Sequence, residues 1–302
     1  MRWNRPAAPG SLGDFVQPIE SQHALEVRAK DRFRFGANWT HFLASIDEER
    51  IRLAAESLRS SLGRESLAGL SFLDAGSGSG LSSLAARRLG ATVLSFDFDP
   101  QSVACTTELQ RRYRADDSDW RIETGSVLDT EYMERLGTFD VVYSWGVLHH
   151  TGNLQQALEN IARRVAENGM LFIALYNDQG WISKYWAAVK RGYNRGATSK
   201  FLLTVAHLSY LCGARIVGRA LTGRLRVERG MSLWYDMIDW LGGWPFEVAR
   251  PNEIVDFYAA RGFKVRALTT VGSRHGCNEF VFQRPPTVIR TGPPCGGVRD
   301  AT

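Results

Sequence analysis

The stretch FLDAGSGSG, Phe72 to Gly80, constrains this chain more than any other. An apolar run ends in three glycines at alternate positions, Gly76, Gly78 and Gly80, and a helix-like stretch starts at once with Leu81. A loop that leaves a buried strand and opens a helix admits a cofactor to its backbone only where side chains are missing. The dinucleotide fingerprint GxGxxG sets its third glycine three positions after the second. Here the spacing is GxGxG, and position 81, where that fingerprint wants glycine, is leucine. Asp97 follows at the end of the next apolar run, about 17 residues beyond the loop, where a carboxylate accepts both hydroxyls of a ribose. Several nucleotide cofactors share that acid, so the glycine spacing discriminates between them and the acid does not.

Around the loop, short runs of strand formers alternate with helix-like stretches, the pattern of βαβ units and a parallel sheet. Strands are expected at Ser71–Ala75, Thr92–Phe96, Trp120–Thr124, Phe139–Ser144 and Gly169–Tyr176, with helices near Leu81–Leu89, Gln101–Arg114 and Leu154–Val165. The alternation breaks between Trp181 and Trp244, which reads as helical insertion, and resumes at Pro251, a residue suited to a helix start. Two last strands, Lys264–Val271 and Asn278–Arg284, flank the short GSRHGC and predict an antiparallel hairpin, which the six-stranded dinucleotide fold lacks. Ahead of the sheet, apolar residues from Phe42 to Leu62 keep helical spacing behind the aromatic Phe33, Phe35 and Trp39, a stretch that either packs on the sheet or lids a ligand. The domain reading is therefore a flexible arm at 1–30, N-terminal helices and the cofactor half at 31–176, a helical substrate cap at 177–250, the end of the sheet at 251–284 and a disordered Pro/Gly-rich tail at 285–302.

A chain of 302 residues with 44% hydrophobic and 23% charged content can bury a sizeable core. Cys105, Cys212, Cys277 and Cys295 form no CxxC pair, so neither a zinc site nor a disulfide framework is expected, and a cytoplasmic location is the default. The best candidate for a membrane span, Phe201 to Leu221, is broken by His207, Arg215 and Arg219. The net charge of +5 is unevenly placed: residues 181–230 hold ten Lys and Arg against Glu228 alone, a basic, aromatic block open to a solvated face, an anionic lipid, a phosphorylated substrate or nucleic acid.

These motifs resemble the class I S-adenosylmethionine-dependent methyltransferases, and within them quinone and small-molecule O-methyltransferases. FLDAGSGSG resembles that family's first motif, SFDFDP its acidic motif, and residues 139–177 its fourth strand, helix and fifth strand. The resemblance implies a Rossmann-like seven-stranded sheet of order 3-2-1-4-5-7-6 with strand seven antiparallel, and S-adenosyl-L-methionine as cofactor. Carried over by position, Asp74, Gly76, Ser77, Gly78 and Gly80 form the loop at the methionine part, Asp97 binds ribose and Phe98 flanks adenine. Gly125, Ser126 and Val127 fall beside adenine, where many relatives have Gly-Asp, and Asp129 is a substitute contact. Trp145 and Gly146 approach the methionine, and Trp39 joins the cofactor contacts if the aromatic stretch ahead of the sheet is a lid rather than packing.

Methyl transfer from a sulfonium is an in-line displacement, so the protein aligns the acceptor, excludes water and, for a phenol or alcohol, removes a proton. His150 or His149, after strand four, are the candidate bases, and Tyr176 with Asn177, ending strand five, the candidate acceptor contacts. Trp234, Tyr235, Asp236, Asp239, Trp240 and Trp244 form either a covering loop or ordinary core. The expected activity is methylation, on oxygen, of a small-molecule or glycan-like acceptor, without a metal. The alternatives are a lipid or polyprenyl-linked acceptor at a membrane surface, reached through 181–230, and, lower, RNA methylation, a non-catalytic scaffold or an NAD-linked oxidoreductase. Nucleic acid is disfavoured because no appended RNA-binding motif is present. The oligomeric state is left open.

Overall fold

The structure is a computed structural model and describes residues 19–213, 233–272, 274 and 276–286. Its centre is a seven-stranded sheet of order β3-β2-β1-β4-β5-β7-β6. The strands are β1 (Ser71–Ala75), β2 (Thr92–Asp97), β3 (Trp120–Thr124), β4 (Phe139–Trp145), β5 (Val165–Tyr176), β6 (Lys264–Thr269) and β7 (Cys277–Gln283). The first five run parallel, with Leu73 opposite Leu94 on one side and Val142 on the other. Strand β7 is antiparallel to both neighbours, pairing Phe172 with Val281 and Leu268 with Phe280. This is the expected sheet, hairpin included.

Alternate residues of each strand feed opposite layers. Leu73, Leu94, Phe96 and Val142 face a core with α7 (Leu154–Ala162) and the Pro251–Ala259 helix. Phe72, Val93 and Val141 face α3 (Glu48–Leu62), α4 (Leu81–Arg88) and α5 (Pro100–Tyr113). Strand β5 begins four residues earlier than expected because its pairing with β4 shifts register between Phe139 and Val141, a bulge that the turn-like residues Asn168 and Gly169 conceal. A short helix, α6 (Thr130–Arg135), went unpredicted; Asp129 caps it by accepting from the Tyr132 N–H at 3.0 Å.

Two expectations at the N-terminus are corrected. Residues 19–29, read as part of a loose arm, form helix α1 (Ile19–Ala29), in which His23 is buried. The apolar run from Phe42 to Leu62 is not one helix. It splits between α2 (Phe35–Leu43) and α3, because the Asp47 carboxylate caps a new N-terminus at the Arg50 N–H, 2.9 Å away.

The insertion contains α8 (Trp181–Tyr193), α9 (Ala197–Leu208) and a helix at Leu233–Gly242, joined by a core of their own that includes Trp186, Val189, Met237 and Leu241. The side chains of Trp234, Tyr235 and Asp236, the arginines from Arg215 to Arg229, His275, most of the arm and most of the tail lie outside the described residues. Among the described residues no helix is long and apolar enough to cross a membrane, and no three His, Cys, Asp or Glu side chains group as metal ligands.

Candidate active site

A cavity of about 800 Å³ opens at the carboxyl ends of β1, β2 and β4, where open α/β sheets bind ligands. One end is built by backbone. Gly76 and Gly78 hold φ of +88° and +55°, in the left-handed region that favours glycine. A β-carbon on Gly76 would fall 2.4 Å from Val147, and one on Gly78 would fall 2.9 Å from the Trp39 indole, so both glycines are also required by close approach. The Gly76 and Ser77 N–H groups donate to the Phe96 carbonyl at 2.8 and 3.1 Å, which pins the loop to the end of β2. Gly80 does not border the cavity; it opens α4 against Thr106.

Asp97 accepts from the Gly78 N–H through Oδ2 and from the Asp99 N–H through Oδ1, both at 2.9 Å. Each carboxylate oxygen takes two donors, so one position on each is left for a hydroxyl pair. Burial pushes Asp97 up to about 6, against the pull of those two N–H donors. Asp74 is 2% exposed, and burial raises it to about 7 although the Ser83 hydroxyl donates to it. Ser83 in turn meets Ser95 at 2.7 Å, and the Trp120 N–H donates to Ser95 at 2.8 Å, so the loop rests on a buried polar network.

The walls come from both sides of the sheet. Phe98 stands edge-on to His23 at 5.4 Å with the Arg32 guanidinium over its face at 4.7 Å. Asp99 fastens α2 above the site by accepting from the Gly36 N–H at 2.8 Å while capping α5 at the Gln101 N–H. Gly125, Ser126 and Val127 line the far wall, and Trp39 lines the cavity over Gly78. Beyond the loop the cavity continues beneath α3, between Leu53, Ala54 and Ser57 above and Tyr143, Trp145 and Phe172 of the sheet below. At that end the Trp145 N–H donates to the Glu279 carboxylate at 2.9 Å; both residues pair with Ala174 across the sheet.

The other end of the cavity is built by side chains. His150 closes a 3₁₀ turn at Leu148–His150, lines the cavity and lies 4.8 Å from the Phe35 ring. Its Nδ1 is 2.6 Å from the Pro245 carbonyl, which can only accept, so Nδ1 carries the hydrogen and Nε2 presents a lone pair. Arg32 holds the turn by donating to the His150 carbonyl at 3.0 Å. Burial first, then the Lys190 charge, push His150 down to about 3, so the ring is neutral at physiological pH.

His149 and Tyr176, read with His150 as catalytic candidates, stand behind it and do not border the cavity. Their ring centroids lie 3.9 Å apart with the planes tilted by 39°, and burial holds His149 well below its ordinary range. Asn177 accepts from Asn278 and donates to the Gly272 carbonyl, which makes it a strut of the β5–β7 junction. Behind Tyr176 lies a fully buried lysine. The Lys190 ammonium donates to the Trp240 carbonyl and sits 4.6, 4.9 and 5.7 Å from the rings of Trp240, Phe246 and Tyr176. Burial lowers it to about 7.

Sequence reasoning reads Pro245 with Gly242 and Gly243 as part of a covering loop, and it missed the places of Arg32, His23, Lys190 and Glu279. Only Lys190 left a signal: with Trp186, Val189 and Tyr193 it completes an i, i+3, i+4, i+7 stripe, a lysine at a core position of a helix. The aromatic and acidic segment near Trp240 is core rather than a covering loop in its described part, since Met237 and Leu241 are buried and Asp239 accepts from Asn38 at 2.5 Å.

Residues 73–171 match the methyltransferase domain family. The chain is 30% identical over 128 residues to the ubiquinone biosynthesis O-methyltransferase of Sinorhizobium medicae, covering 42% of this chain and 50% of that protein. The Parvibaculum lavamentivorans protein of the same name is 32% identical over 108 residues, 36% and 41% of the two chains. The chain thus spans half or less of the length of these curated relatives. Among solved structures, magnesium protoporphyrin IX methyltransferase from Synechocystis with bound S-adenosylhomocysteine superposes with a TM-score of 0.50 at 14% identity, covering 86% of this chain and 99% of that one. An O-methyltransferase family protein from Burkholderia thailandensis gives 0.53 at 14% identity, covering 89% and 63%. Residues 73–171 thus carry a methyltransferase domain, and the strand order with its antiparallel β7 is that of the Rossmann-like methyltransferase fold.

Proposed function

We propose that the protein transfers a methyl group from S-adenosylmethionine to an oxygen of a small, largely apolar acceptor, with His150 taking the acceptor's proton. The observation that carries this reading is one cavity bordered at one end by the glycine loop with Asp97 and at another by the neutral His150 ring. The names of the curated relatives favour oxygen as the methylated atom.

The residues fit the cofactor. Asp74 is a buried carboxyl raised to about 7, and a cationic ligand group beside it would offset the burial that raises it. Asp97 keeps acceptor capacity for two ribose hydroxyls, and Phe98 offers a flat apolar wall. When bound, the cofactor supplies an electrophilic methyl group on a sulfonium. The chain's own part is alignment and proton removal: the groove beneath α3 holds the acceptor's apolar body, α2 with Trp39 limits water, and the His150 Nε2 lone pair accepts the hydroxyl proton, leaving that bond's electron pair on the nucleophilic oxygen.

The test is transfer of labelled methyl from S-adenosylmethionine to a panel of simple phenols and catechols, with the product's methylated atom read by mass spectrometry. Label on oxygen, lost in His150→Ala, is expected. Label on nitrogen, sulfur or carbon from other acceptors, with His150→Ala fully active, contradicts the reading.

A further inference from the structure

Helix α9 is apolar on two opposite faces. Its inner face sets Leu203 and the buried His207 against the insertion core, where His207 Nε2 meets the Tyr185 hydroxyl at 2.7 Å. On the outer face Phe201, Val205 and Leu208 follow at spacings of four and three, with Leu202 beside them. Phe201 is 68% exposed and Val205 56%. On α8, Trp181 is 76% exposed, one turn before the exposed Tyr185 that touches α9. A helix with two apolar faces needs a partner on each, and the described residues supply one.

The charge around this face says what the second partner is. Lys184, Arg191, Arg195 and Lys200 are all exposed, and the chain has no Asp or Glu between Gln179 and Gly213. A second copy of the chain would bring two cationic rims together, and an apolar peptide would supply no anion to any of the four, of which Arg191 and Lys200 lie over the Trp244 and Tyr193 rings. An anionic bilayer surface meets both requirements, because aromatic and aliphatic side chains enter the headgroup boundary while lysine and arginine face the phosphates. With 12 residues, α9 is about 18 Å long, too short to span a hydrocarbon core of about 30 Å.

We propose that the α8–α9 hairpin docks its outer face on an anionic phospholipid membrane, holding the protein at the lipid surface. The surface is separate from the cavity, and the proposal does not depend on the methyl-transfer reading.

Flotation of the full chain with vesicles of phosphatidylglycerol or of phosphatidylcholine tests it. The wild type is expected to float with phosphatidylglycerol and to stay behind with phosphatidylcholine, and raised salt is expected to weaken the binding. Phe201→Ser/Leu202→Ser/Val205→Ser, all at exposed positions and checked for fold by circular dichroism, is expected to bind more than about tenfold more weakly. Lys184→Gln and Lys200→Gln should each weaken binding about fivefold. Failure of the wild type to float, or flotation that the triple serine variant leaves unchanged, overturns the proposal. A wild-type dimer that the triple variant converts to a monomer, without vesicle binding by either, also overturns it and assigns the face to a second copy.

Discussion

The two ends of the cavity are held by different means. At the cofactor end the glycine loop and its acids lie between Asp74 and Asp99 and are fixed by main chain: three glycines at positive φ, N–H groups of 76 and 77 on the Phe96 carbonyl, and the N–H of 78 on Asp97. At the other end His150, the proposed base, depends on the Pro245 carbonyl 95 residues away, on Arg32 118 residues away, and on the charge of Lys190 in the insertion. A backbone-fixed site tolerates change around it; a site held by distant side chains changes with each of them.

The largest effect separates the two ends outright. His150→Ala is expected to lower kcat by about 10²–10⁴-fold while the affinity for S-adenosylhomocysteine, measured by calorimetry, stays within error. An equal loss of affinity would mean that the two ends are one structural unit. Next comes Asp97→Ala, which should weaken S-adenosylhomocysteine by about 1.5–3 kcal/mol, roughly tenfold to a hundredfold, with the circular dichroism spectrum retained. Unchanged affinity would remove Asp97 from the ribose.

Lys190 gives a test of the base end that needs no substrate. The native state sheds this proton near pH 7 and the unfolded chain only near 10.5, so between those values the unfolded chain holds the extra proton. Stability against urea should therefore rise with pH, by up to about 1.4 kcal/mol per unit around pH 7.5 to 8.5. That window lies above the His150 and Asp74 values and below the range where Cys105, raised from 9.0 by burial, opposes the trend. Lys190→Met should abolish the slope; a slope that persists in the variant belongs to another group.

The smallest effect sharpens the cofactor end. Asp74, held at about 7, loses its charge as pH falls, so S-adenosylhomocysteine should bind about threefold to tenfold more weakly at pH 6 than at pH 8. Asp74→Asn should flatten that dependence, and a wild-type affinity constant over the range would show that Asp74 does not meet the ligand's cationic group.

The same contrast explains how much was legible in the sequence. The glycine loop, Asp97 and the strands around them follow from spacing within about thirty residues, because backbone geometry is dictated locally, while Phe98 was marked only by the resemblance. The bulge at Phe139–Val141 and the break before Asp47 shifted element ends by a few residues, since each is settled by a cap or a register that periodicity does not encode. His150 and His149 both stood out as candidate bases, with His150 preferred on the resemblance, and it is tertiary packing that turns one into the cavity and the other behind Tyr176. Glu279 carried no local mark: it is an acid on an ordinary strand until β7 pairs with β5 and sets it beside Trp145.

The most direct measurement is thermal unfolding with S-adenosylmethionine, S-adenosylhomocysteine and NAD side by side, because a ligand that binds only the native state raises the midpoint. A rise with the first two and none with NAD is the predicted result. A rise with NAD alone, or no rise with any of the three, would contradict a cavity built to hold a methyl donor.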